Sequence, residues 1–232
     1  MNPLKNLVRL GGPADVQAAL THLGAVAQRC IEWVEGNYPR NSKRVTAVNF
    51  VRSAIRYLGY INEAQGTGTA LPIVALSARS IFEMDLRLRK VFESEDELNK
   101  WQAEAATDKA DFFDAVVQLS PDRSMPDSAL LKAEADRIRN LLTKYGLPNK
   151  AKPPQTKALA DDAGLVADYP VFYRLSSKFV HPSAWIVNDE ASLESEQYRC
   201  ILISLLQLYS WQMLHRVRDA FGIPDSVLFP EN

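Results

Sequence analysis

The sequence is poor in the residues that staple or metallate a small protein. Its 232 residues include two cysteines, Cys30 and Cys200. Two thiols exclude a disulfide scaffold and a four-ligand zinc site. Three histidines, His22, His181 and His215, leave few options for a histidine metal cluster. Net charge is also missing: 27 Lys and Arg stand against 28 Asp and Glu, a formal charge of -1. That excludes a protein held on nucleic acid or anionic lipid by bulk charge, and leaves a local basic patch open. Long apolar runs are absent as well. The opening residues hold no stretch long enough for a signal peptide. The most apolar segment, Cys200 to Leu214, is broken by Gln207 and Gln212 and flanked by Arg199 and Arg216. It falls short of the roughly 20 residues that a membrane span requires. It reads as a buried core helix, so no membrane partner is expected. The expected location is the cytoplasm, with reduced thiols. A Gly-rich phosphate loop, a nucleophile elbow and a zinc-protease motif are missing too, and no metal or cofactor is expected.

What the sequence does have is helical periodicity, in a chain 47% apolar. Strand-like alternation is nowhere sustained. A first helix is expected over about 13–34, led by Pro13, with an apolar stripe of Val16, Leu20, Leu23, Ala27, Cys30 and Val34. A second, over 42–64, carries Val45, Val48, Val51, Ile55, Leu58 and Ile61, closed by Gly66-Thr67-Gly68. The third, over 71–92, is apolar around most of its circumference and therefore central. Ser94, with Glu97 three residues on, announces a fourth helix as a capping box, and Ser120-Pro121 breaks it. A fifth spans about 127–145 before Gly146 and Pro148. Residues 148–155 are the most linker-like, too short to divide the chain. A short helix over 156–163, another from Pro170 to His181-Pro182, and a long last one over 193–221 complete the set. The expectation is an all-α bundle of seven or eight helices in one domain, 1–232. Within it, 13–64 form an N-terminal helical pair, 69–221 a core, and 222–232 a tail.

Two constellations stand out. Arg174 and His181 lie seven residues apart, two helical turns, so they project from nearly one face, with Lys178 on the same side. A guanidinium, an ammonium and an imidazole in one strip suit an anionic ligand. The same spacing is met by residues that only pack and cap a helix end. On the third helix, Arg79 and Glu83 are i, i+4 and pair. That pair either links two helices or orients a third polar group, for which His181 is a candidate. Arg40, Lys43, Arg44, Arg52 and Arg56 form a further basic stripe, equally readable as a solvated face.

The segment from Arg174 to His181 resembles the R-x4-6-H motif of the HEPN superfamily of helical proteins (higher eukaryote and prokaryote nucleotide-binding). Leu76-Ser-Ala-Arg79-Ser-Ile-Phe-Glu83, taken with Tyr173-Arg-Leu-Ser-Ser-Lys-Phe-Val-His181-Pro-Ser183, is similar to an uncharacterised bacterial branch of that group. The resemblance covers roughly Ile55 to Leu214. It implies a HEPN-like core at 69–221 and a homodimer that brings two Arg/His motifs together. Active members are metal-independent ribonucleases, often toxins or antiviral effectors. The resemblance thus implies RNA as substrate and an antitoxin or other partner protein. Carried over, His181 is the general base on the ribose hydroxyl and Arg174 holds the phosphate. Lys178 binds substrate, and Arg79 and Glu83 support the site. Leu175 stands where active members commonly carry a polar residue, and Pro182 follows His181. The alternative reading is a non-catalytic interaction or nucleotide-binding module, in which the same residues form a structural polar network.

Overall fold

The computed structural model describes residues 6–65, 71–119, 126–148, 153–181 and 183–229. The protein is all-α. Among the described residues there are ten α-helices, a 3-10 turn at Glu190–Glu194 and no strand. No helix among them is long and apolar enough to cross a membrane. The chain forms two compact units, one of residues 1–89 with 156–232, the other of 90–155.

The larger unit is built on α1 (Pro13–Asn37), α2 (Ser42–Gln65), α3 (Leu71–Val91) and α9 (Glu196–Phe221). Pro13 opens α1, and the Asp15 carboxylate accepts the Gly12 N–H at 3.2 Å, answering one of the free donors of the first turn. All six residues of the α1 stripe are buried, joined by Val26 and Ile31. On α2, Val48, Val51, Leu58 and Ile61 are buried, while Val45 and Ile55 are half-buried at the edge of the stripe. Helix α3 buries residues on several sides, from Leu71 through Ala78, Phe82 and Leu86 to Leu88, as its all-round apolarity requires. Phe82 meets Phe172 edge-on at 5.0 Å and Tyr209 at 4.8 Å, so one aromatic knot ties α3 to α7 (Asp168–Val180) and α9. Gly222 ends α9 in the left-handed conformation, φ 61°, which a residue without Cβ adopts freely.

Helix α6 (Thr156–Asp162) matches the short helix expected there. Three elements escape the periodicity. These are α8 (Ala184–Asn188), the 3-10 turn Glu190–Glu194, and α10 (Asp225–Leu228). The long last helix therefore starts at Glu196 instead of 193. The stretch expected as a tail carries a helical turn with Leu228 fully buried, and Arg29 Nε donates to the Val227 carbonyl at 3.0 Å. Helices this short have too few residues to display a repeat.

The smaller unit is a helical hairpin of α4 (Glu95–Leu119) and α5 (Pro126–Lys144). Ser94 Oγ accepts the Glu97 N–H at 3.2 Å, one half of the expected capping box, while the Glu97 carboxylate takes Lys100 at 2.9 Å. Its small core is Ala110, Ala135 and Ile138, with Ala106 and Phe113 against it. Arg139 crosses the hairpin to Asp111, at 3.4 Å, and to Asp114. Gly146, at φ 65°, closes α5. The loop Gly66-Thr67-Gly68, the break Ser120-Pro121, Pro182 and residues 149–152 of the linker-like segment lie outside the described residues.

Candidate functional site

Helix α7 buries Phe172, Ser176 and Phe179. With about 100° per residue, that choice sets where every other side chain of the helix points. Tyr173, Ser177 and His181, spaced by four, form one stripe along the edge that meets α3. Arg174 and Lys178 lie further round and are exposed. The helix ends at Val180, and His181 caps it in extended backbone, φ -109° and ψ 148°, as a residue before proline must.

The α7 stripe converges on Arg79. Its Nε donates to Glu83 Oε1 at 3.1 Å and its Nη2 to the Tyr173 hydroxyl at 2.6 Å. Its Nη1 donates to Ser177 Oγ at 3.3 Å and faces His181 Nε2 at 3.3 Å. The guanidinium carbon also sits 4.4 Å from the centroid of the Tyr173 ring, a cation–π contact. Tyr169 stacks behind Tyr173 at 4.9 Å. Ser177 is held in turn, its hydroxyl donating to the Tyr173 carbonyl at 2.7 Å. The side chains of Arg79 and Glu83 are 21% and 32% exposed. The cluster is therefore a half-sheltered surface site with its imidazole on the outside.

Of the sequence candidates, Arg79, Glu83 and His181 come together. Arg174 and Lys178 do not join them, and neither side chain makes a hydrogen bond or ion pair to another described residue. Arg79, and not Arg174, is the guanidinium that meets His181. Tyr173 and Ser177 are the members of the cluster that spacing arguments passed over. Their signal was the run 173, 177, 181, a four-residue stripe ending on the histidine. The basic stripe of α2 is largely engaged elsewhere. Arg52 pairs with Glu35 at 3.0 Å, Arg44 donates to the Tyr38 carbonyl, and Lys43 lies over the Phe221 ring.

The site's chemistry follows from its donors. An arginine N–H only donates, so the contact to His181 is a hydrogen bond when Nε2 carries a lone pair and Nδ1 the proton. In that tautomer His181 presents a donor to solvent. Beside it, Arg174 and Lys178 supply two exposed positive charges on the outer face of α7.

A second acid–base pair joins α3 to α9, with its acid buried and its base partly exposed. Asp85 is fully buried, and Arg216 Nε donates to its Oδ1 at 2.9 Å. Asp85 Oδ2 has no hydrogen-bond partner. Burial pushes the Asp85 carboxyl above the ordinary carboxylate value, and the Arg216 and Arg89 charges counter it only in part. Burial also pushes the Cys30 thiol up to about 11, which makes it unreactive. Among the described residues, no three His, Cys, Asp or Glu side chains converge as metal ligands.

No family model, no curated protein and no solved structure matches the chain.

Proposed function

We propose that the chain is a HEPN-like helical module that binds the phosphate of a nucleotide or RNA without cutting it. One observation carries this reading: His181 Nε2 lies 3.3 Å from Arg79 Nη1, which in the hydrogen-bonding tautomer occupies the ring's lone pair, and Glu83, Tyr173 and Ser177 already hold that arginine. A general base needs that lone pair free. A network centred on Arg79 serves instead to orient α7, and α7 turns Arg174 and Lys178 outward as two exposed positive charges. The proposal includes the homodimer and the partner protein that the resemblance implies, and a cytoplasmic location.

The exposure of His181, two turns beyond an exposed Arg174, favours a second reading. In it the imidazole swings off Arg79 and takes the ribose proton, and the chain is a metal-independent endoribonuclease of toxin or antiviral type.

One assay separates the two. Purified protein is incubated with mixed RNA in EDTA, and RNA binding is followed in parallel by fluorescence anisotropy. The binding module leaves RNA intact, and Arg174→Ala with Lys178→Ala lowers its affinity and flattens its salt dependence. Cleavage in EDTA that His181→Ala abolishes, in a variant that stays folded, establishes the nuclease instead.

A further inference from the structure

The larger unit also holds a cavity that the Arg79 cluster does not use. Its volume is about 600 Å³, within the range of small-molecule sites. Its walls come from the segment before α1 (Leu7, Arg9 and Leu10), from His22 on α1, and from Trp211 and Phe229. Gln207, one of the two polar residues that interrupt the apolar run of the last helix, explains why this segment stays in place. Its buried amide clasps Arg9 at both backbone groups, accepting the N–H at 2.9 Å and donating to the carbonyl at 3.0 Å. The clasp leaves the Arg9 side chain at the rim, with no hydrogen bond or ion pair to another described residue.

We infer that this cavity is a binding site for a planar aromatic carboxylate, held by Arg9 and the Trp211–Phe229 stack. The aromatic class follows from the rings. Phe229 lies nearly parallel on Trp211 at 5.9 Å, inclined by 20°, and is itself 39% exposed. His22 is tilted against Trp211 at 6.3 Å. Trp211 is itself buried and backs these two rings, so a flat apolar ligand meets the exposed Phe229 and His22. The charge class follows from the two ionic groups of the lining. Arg9 offers a planar fork that matches a carboxylate. The Asp15 carboxylate also lines the cavity, and it disfavours the doubly charged phosphate more than a single negative charge.

The test is calorimetry on the full chain with naphthoate and its uncharged counterpart naphthamide. Naphthoate binds, and naphthamide binds about tenfold more weakly, the usual worth of a charged hydrogen bond. Arg9→Ala reduces naphthoate to the naphthamide level and leaves naphthamide unchanged. Ala18→Trp, at an exposed residue of the cavity wall, places an indole where the ligand ring would sit and abolishes both without lowering Tm. No heat with either compound overturns the inference. So does naphthoate affinity that survives Arg9→Ala, or binding of both compounds that survives Ala18→Trp.

Discussion

Helix α3 supplies the acid of two arginine–carboxylate pairs, Glu83 to its own Arg79 and Asp85 to Arg216 of α9, and the two pairs do opposite work. Arg79 with Glu83 sits at the surface, both groups partly wet, and the arginine spends its remaining donors on Tyr173, Ser177 and His181. Asp85 with Arg216 has its acid fully buried and one carboxylate oxygen unanswered. The first pair costs little desolvation and stays within reach of solvent. The second costs much desolvation, and its value lies in what happens when one partner is removed. Surroundings, not residue type, separate a candidate site from a strained piece of core.

The largest expected effect comes from breaking the inner pair. Asp85→Ala takes the carboxylate from Arg216 beside a new gap and lowers stability by about 3 kcal/mol in urea denaturation. A loss no greater than that of Arg79→Ala erases the contrast. Arg79→Ala removes a hub of shared hydrogen bonds and costs about 1–2 kcal/mol, since each net bond is worth about 1 kcal/mol and water replaces some. His181→Ala takes one contact from that hub and costs less than about 1 kcal/mol, read as a small fall in Tm. A large fall for His181 and a small one for Arg79 would mean that the imidazole, not the guanidinium, organises the cluster.

Acid sharpens the comparison further. The folded state raises the Asp85 carboxyl, so it binds that proton more tightly than the unfolded chain does. Its contribution is complete below the ordinary carboxyl value of 3.8 and is lost as pH rises through the raised one. His215 runs the other way. Burial, then the Arg218 charge, lower its imidazole below the ordinary 6.5, so its contribution is complete above that value and is lost as pH falls through the lowered one. Stability measured between neutral and mildly acid pH should therefore flatten in Asp85→Asn and His215→Gln, in opposite senses. The smallest effect belongs to the hairpin of the other unit. Arg139 is 38% exposed, and Arg139→Ala shifts the urea midpoint by less than about 1 kcal/mol equivalent.

The Arg79–Glu83 pair was legible because it is local: four residues on one helix face need no knowledge of the rest of the chain. The candidacy of His181 as the group that Arg79 orients was legible for a weaker reason, a polar residue at a helix end before proline. Asp85 with Arg216 was not legible. The two are 131 residues apart, and a single acid in an apolar helix does not name its partner. Nor was the clasp of Gln207 on Arg9, 198 residues away. Helices α8 and α10 went unseen because five and four residues are too few to repeat the helical period.

Sequence alone determined where the long helices run, which stripe of each one is apolar, and that the molecule is all-α, because periodicity and end signals act within a few residues. Tertiary structure decided which arginine meets His181. Packing of Phe172 and Phe179 into the core sets the rotation of α7, and that rotation carries Tyr173, Ser177 and His181 towards Arg79 and turns Arg174 and Lys178 to solvent. A helix pattern fixes the angles between its own side chains, but only contact with its neighbours fixes the direction in which the whole set points.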